Sequence, residues 1–318
     1  ETAQTAVENP GETYAPLVGA LKTLESNLET EDSRRKPFPA TSTGRRTAFA
    51  RWLTDPANPL PARVAVNHLW GRHFGRALVP TVFDFGRKGT PPTHPELLDW
   101  LAVELVDHNW SMKHIHRLIV TSRAYRLSSS NAEVATVNVR LDPDNHFLWR
   151  FHPRRMEAQL VRDSLLALSG ELDLTLGGPS VPVNQESRRR SLYYVHSHNE
   201  HQKFLSTFDD ANVLECYRRA ESIVPQQALA LENSPLASIA AEKIVQRVAA
   251  TDTDAFLRAG FAMILGVTPQ DEELAVSREA LTEWTTQARA AQRADPERHA
   301  RTQFVQALLN HNDFIVIR

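Results

Sequence analysis

The chain has 318 residues, with 36 lysines and arginines against 38 aspartates and glutamates and a single cysteine. This near-neutral balance disfavours a nucleic-acid binder, because such proteins usually carry a basic excess on one face. One cysteine excludes an internal disulfide, a four-thiolate zinc site and a covalently attached c-type haem within this segment. No apolar run approaches the roughly 18 residues that a membrane-spanning helix needs.

The first 43 residues differ in character from the rest of the chain. They are polar, four prolines interrupt them, and a leucine repeat from Leu17 to Leu28 has helical spacing. We therefore predict a linker with one helix at 1–43, coming from a preceding domain, and a folded domain at 44–318. The chain begins at Glu1 without methionine or an apolar leader, which is typical of a processed or excised piece.

Helical patterns dominate the folded domain. Apolar residues recur every three or four positions in successive segments, and prolines or glycines separate these segments. Residues 171–221 break the rhythm, because they contain a Gly-Gly-Pro loop and the strand-like segment Ser191–Val195. We predict a mainly α fold, a multi-helix array or orthogonal bundle, with a small β or extended insertion at about 171–221. It forms one unit, or two lobes at 44–170 and 222–318.

Particular residues are predicted to begin several helices. Thr93 and Glu96 match a capping box, in which each side chain bonds to the backbone of the other residue. Ser234, Thr268 and Asp295 each precede a proline, a pattern typical of an N-cap followed by the first helical residue.

A polar edge runs along the helix predicted to begin near residue 59. Arg63 and Asn67 lie one turn apart, as do His68 and Arg72. In a functional interpretation, Arg63 and Asn67 grip an anionic or sugar-like ligand while His68 exchanges a proton near neutral pH. In a structural interpretation, Arg63 and Asn67 hold neighbouring loops through hydrogen bonds to the backbone.

A second polar group lies in a helix predicted at 153–169. Arg154, Arg155 and Arg162 are candidate ligand-binding residues, and Asp163 is a candidate catalytic acid. Arg155 and Arg162 share one helical face by their spacing. A buried acid paired with such an arginine would have a lowered pKa and stay ionised. That property suits an ion-pair network or electrostatic stabilisation better than proton transfer.

Two histidines predict a metal site in the insertion. If 192–198 is a strand, His196 and His198 point to the same side, and paired imidazoles bind zinc or another divalent ion. A third ligand would come from elsewhere in the fold. The alternative is a pair of solvent-facing histidines on an extended arm. The lone Cys216 is interpreted as a small core residue or, less simply, as a reactive thiolate.

Several long motifs, which occur in a fixed order, resemble one protein family. They are Arg51–Leu60 (RWLTDPANPL), Asn67–Trp70 (NHLW), Pro91–Trp100 (PPTHPELLDW), Asp142–Asn145 (DPDN), Arg154–Ala158 (RRMEA), Gly177–Ser180 (GGPS) and Glu215–Ser234. Together these motifs are similar to the PSD1 domain, also called domain of unknown function 1553. The resemblance covers roughly residues 44–315.

The resemblance implies a setting for the domain and assigns no catalytic residue. Such domains typically follow a cytochrome C domain that binds haem and a second domain of unknown function, 1549, in planctomycete proteins thought to be exported. It therefore implies an extracytoplasmic location and these two upstream domains as partners. Any haem would lie upstream, so we expect no cofactor in this segment apart from the divalent metal considered above.

Three functions are consistent with the sequence. The first is an accessory binding or interaction domain for polymer handling or electron transfer, with a polysaccharide or protein ligand, no nucleic acid and no membrane span. The second is an enzyme whose polar, metal-assisted cleft acts on an extracytoplasmic polysaccharide; its candidate catalytic residues are His68, His94, Asp99 and Asp163. The third is a structural domain that docks its own upstream cytochrome. A deep cleft gathering these side chains would favour the enzyme, whereas mutually paired groups would favour the binding domain.

Overall fold

The computed structural model of the protein describes residues 44–129, 135–214, 219–248, 250 and 252–317. The predicted linker and helix at 1–43 lie outside these residues, as does Cys216. The α-helices of the described part are α1 Arg45–Leu53, α2 Pro59–Phe74, α3 Pro95–Asp107, α4 Met112–Thr121, α5 Ala135–Leu141, α6 Ala158–Ser169, α7 Lys203–Thr207, α8 Pro225–Asn233, α9 Pro235–Arg247, α10 Thr253–Ile264, α11 Asp271–Ala290 and α12 Pro296–Leu309. The strands are β1 Arg154–Arg155 and β2 Val316–Ile317.

These elements confirm the predicted mainly α fold. The two strands form a single antiparallel pair, and everything else that is regular in the described ranges is helical. None of the described helices combines the length and the apolar character needed to cross a membrane.

The first hydrophobic core is built by α2, α3 and α4. Val66, Trp70 and Phe74 are buried on one face of α2, because residues four apart lie on the same side of a helix. The rings of Trp70 and Phe74 stack with centroids 4.1 Å apart. They share a cluster with Leu101 of α3 and Ile115 of α4. By contrast, α1 contributes no buried residue.

The second core gathers α6 and the helices from α8 to the C-terminus. At its centre α12 contacts α8, α9, α10 and α11. Ala158 and Leu165 of α6 are fully buried in this cluster. The two cores divide between Phe151 and Ala158, and the predicted lobes at 44–170 and 222–318 stay a prediction.

The two-stranded pair joins the cores. Arg154 lies opposite Ile317 and Arg155 opposite Val316, and the N–H of Met156 donates to the carbonyl oxygen of Ile315 over 2.8 Å. The helix predicted to begin at Pro153 therefore begins at Ala158, because the preceding residues pair with the C-terminal strand.

The insertion at about 171–221 is extended, as predicted. It contains two isolated bridges, Asp173 to Arg189 and Val181 to Tyr194, and the short helix α7. The strand predicted at Ser191–Val195 is wrong, since Ser191–Tyr193 form one turn of 3-10 helix before the bridge at Tyr194. Hydrogen bonds from the buried Arg162 hold this turn, so tertiary contacts override the β propensity of its residues.

Candidate functional site

A cleft of about 580 Å³ lies where the two cores meet. Its walls are the second half of α2, the loop after it, β1 with Glu157, and the chain at 219–221. This volume is in the range of small-molecule sites, about 300–1,000 Å³. The charged side chains that line the cleft are those of Arg72, Arg76, Asp84, Arg154, Arg155, Glu157, Arg219 and Glu221.

The end of α2 shapes one wall. Gly75 ends the helix with φ 77°, a left-handed conformation that glycine adopts without steric cost. A Cβ at Gly75 would lie 3.4 Å from Cδ of Arg154, so the bare glycine lets that side chain lie against the helix end. Arg154 there donates from Nη1 to the carbonyl oxygen of Arg72, one of the last carbonyls of α2.

The loop wall is fixed by the side-chain amide of Asn67. Its Nδ2 donates to the carbonyl oxygen of Val79 over 3.1 Å, and its Oδ1 accepts from the N–H of Val79 over 2.7 Å. Asn67 is fully buried. This geometry supports the structural interpretation of Asn67, because both ends of its amide are used by the backbone.

The charge of the cleft is predominantly positive. Five arginines face three carboxylates, which is an excess of two positive charges in a chain whose overall charge is −2. Glu157 bonds two of the arginines: one oxygen pairs with Nη1 of Arg72, and the other lies 3.1 Å from Nη2 of Arg219. The excess positive charge of the lining side chains favours an anionic ligand over a neutral or cationic one.

Some of the arginine donors in the cleft lack acceptors. Among the described residues, the buried Nε of Arg154 and the buried Nε and Nη1 of Arg219 have no hydrogen-bond partner. Burial also lowers the pKa of Arg154, since its charge is poorly hydrated there. An oxyanion could bond to these atoms only if the two arginine side chains moved to expose them.

His68 is the titratable side chain of the cleft best suited to accept a proton. It lines the same wall as Arg72, and its pKa is lowered by burial and by the charge of Arg72. A lowered pKa keeps the imidazole neutral at pH 7, which is the form that accepts a proton.

Arg155 leads from the cleft into a hydrogen-bonded chain beneath it. Its Nη2 donates over 2.7 Å to Oε1 of the buried Gln227, whose amide nitrogen lies 3.2 Å from Oγ of Ser222. Ser222 in turn donates to the carboxylate of Asp209 over 2.9 Å. Because the guanidinium group of Arg155 is hydrogen-bonded to Gln227, Arg155 supports the floor of the cleft.

The other candidates on the first core lie outside the cleft. Nε of Arg63 is 2.6 Å from Oδ1 of Asp99, and this hydrogen bond holds the pKa of Asp99 below its ordinary value. Asp99 is therefore an ionised partner of Arg63. His94 precedes the first residue of α3, and its Nδ1 lies 3.0 Å from Oγ1 of Thr93.

Arg162 and Asp163 hold the insertion. The side chain of Arg162 is 1% exposed, donates to the carbonyl oxygens of Ser187 and Arg189, and lies over the ring of Tyr194 at 4.9 Å. Asp163 accepts from the N–H of Ser191 over 2.8 Å and from its hydroxyl over 2.6 Å. Both candidates thus position backbone in the insertion and are not among the residues that line the cleft.

The strand that would align His196 and His198 is not formed. His196 lies 3.9 Å from a carboxylate oxygen of Asp210, and His198 is exposed. The metal assignment to this pair stays a prediction. In the part of the chain that the structure describes, the group of three side chains able to share a metal ion lies elsewhere, on α3 and α4.

Most of the arginine cluster was not predicted as a site from the sequence. The predicted candidates that the structure brings to the cleft are Asn67, His68, Arg154 and Arg155. The missed residues are Arg72, Arg76, Asp84, Glu157, Arg219 and Glu221. The spacing of His68 and Arg72, one turn apart on a helix, belongs to the predicted polar edge, but Arg72 was not selected as a candidate residue.

These features define a class, a helical domain whose two cores meet at a basic cleft. The chain matches the family PSD1, described as protein of unknown function (DUF1553), over residues 45–281, about three quarters of its length. It belongs to this family, so the resemblance seen in its motifs is confirmed. No curated protein and no solved structure matches the chain.

Proposed function

We propose that this is an accessory binding domain whose arginine cleft holds the acidic groups of a polysaccharide. The observation that carries the proposal is the cleft of about 580 Å³ with five arginines and three carboxylates. Guanidinium groups recognise carboxylates and sulfates through paired N–H donors. Each hydrogen bond to a charged group contributes about 1.5–3 kcal/mol.

The shape and distribution of charge favour a polymer segment over nucleic acid. The positive charge is confined to one concave site, whereas the chain as a whole carries −2. A nucleic-acid binder would need a longer basic surface along the phosphates. Phe83, which is 56% exposed and lines the same cleft, offers an aromatic face to a sugar ring.

The wider setting of the proposal comes from the family resemblance. We propose that the domain belongs to an exported, cytochrome-linked planctomycete protein, downstream of cytochrome C and 1549-type domains, as the resemblance implies. In that setting a bound acidic polymer would be held close to the haem domain. The proposed role is therefore polymer handling or electron transfer outside the cytoplasm.

An enzyme acting on the same polysaccharide is the second candidate. It is favoured by His68, which its lowered pKa keeps neutral and which lies in the wall that also presents Arg72. The arginines would then neutralise the acidic group of the substrate while His68 acts as general base. Asp163, Asp99 and His94 take no part in this version, because they lie outside the cleft.

Calorimetric titration of the full chain tests the binding. The probes are polygalacturonate as a carboxylated polymer, dextran sulfate as a sulfated polymer and dextran as the neutral control. We expect binding of at least one acidic polymer, weakening with salt, and none of dextran. Arg76→Gln and Arg219→Gln should each weaken binding about 10-fold, which corresponds to about 1.4 kcal/mol. Arg293→Gln, at an exposed position outside the cleft, should leave it unchanged.

Equal binding of dextran and the acidic polymers would contradict the proposal, as would unchanged affinity in both cleft variants. Turnover separates the two candidates. Release of new reducing or unsaturated ends from a bound polymer, lost in His68→Gln, would identify the enzyme. Binding without such products identifies the binding domain.

A further inference from the structure

Three potential metal ligands meet at the corner between α3 and α4. Glu104 and His108 are one turn apart at the end of α3, and His114 lies in the first turn of α4. The connection is short and sharp, since Asn109 and Trp110 both have positive φ, 54° and 59°. It therefore brings the two helix ends together on one side.

The donor atoms converge. Oε2 of Glu104 is 2.9 Å from Nε2 of His114 and 3.4 Å from Nδ1 of His108. One donor atom of each residue lies within 4.8 Å of those of the other two. For ligand bonds of about 2.1 Å, the edge of a tetrahedron is about 3.4 Å, so the two measured separations are close to those of a coordinated ion.

We propose that Glu104, His108 and His114 form a binding site for a divalent transition metal of the zinc type. Two imidazoles and one carboxylate suit Zn²⁺, whereas Mg²⁺ and Ca²⁺ prefer an all-oxygen set. Three protein ligands leave one tetrahedral position open. His108 is 47% exposed, so the site is accessible to solvent, and a water molecule would fill the open position.

Metal binding replaces contacts that the three side chains now make with each other. The hydrogen bond between His114 and Glu104 is lost, and Nδ1 of His108 leaves the carbonyl oxygen of Glu104, 2.9 Å away. The two imidazoles are stacked, with centroids 3.6 Å apart and planes at 11°. Their in-plane lone pairs can point at one ion only if the two side chains rotate out of the stacked arrangement. The exposed His108, at the end of α3, has room to rotate.

Titration of the metal-free full chain with zinc chloride tests the site. We expect wild type to bind zinc at this site. His108→Ala and His114→Ala should each weaken zinc binding more than about 100-fold, because loss of an outer-shell partner alone costs about 10- to 100-fold and these residues are direct ligands. His146→Ala is the matched control, since it removes a histidine that is 59% exposed and belongs to neither proposed metal site, and it should leave the zinc affinity unchanged. Zinc should also raise the Tm of wild type but not of the two variants.

Nitrogen-15 NMR of the histidine rings on wild type keeps the test independent of variant folding. Zinc should shift ring nitrogens of His108 and His114. The proposal is overturned if wild type binds no zinc, if both variants bind it as tightly as wild type, or if the zinc-dependent shifts fall on other histidines. Because the cleft and this corner share no lining residue, failure here leaves polysaccharide binding untouched, and the converse holds.

Discussion

The side-chain amide of Asn67 is hydrogen-bonded to both backbone groups of Val79, donating over 3.1 Å and accepting over 2.7 Å. The bond pair joins the middle of α2 to the loop that forms one wall of the cleft. Neither residue is more than 3% exposed, so water cannot replace the amide. A residue that the sequence offered as a ligand-gripping group is thereby found to build the wall.

We expect Asn67→Ala to lower the free energy of unfolding by about 2–4 kcal/mol. The substitution leaves a buried N–H and a buried carbonyl without partners, and each such loss costs about 1–3 kcal/mol. Urea denaturation followed by circular dichroism measures the change. Asn199→Ala, at an exposed position, is the control and should alter stability by less than about 0.5 kcal/mol. Equal stability of the two variants would show that the Asn67 amide is dispensable.

The presence of the longer helices could be predicted from the sequence, but the residues at which they begin could be predicted only in part. Ser234 and Asp295 cap their helices as predicted, because the side-chain oxygen of each accepts from a backbone N–H in the first turn. The predicted capping box at Thr93 is wrong: Thr93 donates instead to the carbonyl oxygen of Leu78, and His94 precedes the helix. Gln270, not Thr268, caps α11. Where a capping side chain finds a tertiary partner, local sequence no longer decides its role.

The composition of the cleft depends on contacts that local patterns do not reveal. Glu157 meets Arg72 and Arg219, which are 85 and 62 residues away along the chain. Arg154 turns toward α2 because β2, from the far C-terminus, pairs with its backbone. The sequence therefore indicates arginine-rich segments but not which carboxylate each would find.

Arg162 should be needed for the insertion to fold. We expect Arg162→Met to lower the free energy of unfolding by about 2–4 kcal/mol, because it strips donors from the carbonyl oxygens of Ser187 and Arg189 in a buried position. Arg162→Lys should also lower the stability of the protein, since an ammonium group cannot reproduce the spaced N–H donors of a guanidinium group. Arg188→Ala, whose side chain is 73% exposed, is the control. Denaturant midpoints provide the measurement, and a wild-type midpoint for Arg162→Met would contradict this role.

Acidification should destabilise the fold partly through His73. Its Nε2 lies 2.7 Å from Nδ1 of His116, and its pKa is lowered by burial and by the charges of His116 and Arg154. Because the unfolded chain then binds a proton at higher pH than the folded chain, the stability that neutral His73 contributes is lost as the pH falls below about 6.5.

Unfolding free energies measured from pH 7.5 to 5 test this dependence. His73→Gln, which can still hydrogen-bond to His116, should show a shallower loss of stability over that interval. Substitution of the exposed His201 by glutamine is the control and should preserve the wild-type slope. The same steep loss in His73→Gln would assign the pH dependence to other groups; the pKa values of His68 and His152 are lowered in the same direction.

Glu157 competes with any anion for the arginines of the cleft, so its neutralisation should strengthen ligand binding. Its carboxylate pairs with Arg72 and Arg219 and offsets part of the positive charge. We expect Glu157→Gln to raise the affinity for polygalacturonate about 3- to 10-fold, with a steeper salt dependence, because one more uncompensated positive charge faces the polymer.

A matched control separates this local effect from a general loss of negative charge. Glu171 also bridges two cations, Arg188 at 2.7 Å and Lys243 at 3.5 Å, but it does not line the cleft. Glu171→Gln should therefore change net charge and stability in a comparable way while leaving affinity for the polymer as in wild type. Calorimetric titration of both variants supplies the comparison. If Glu157→Gln binds no more tightly than Glu171→Gln, Glu157 does not compete with the polymer for the arginines of the cleft.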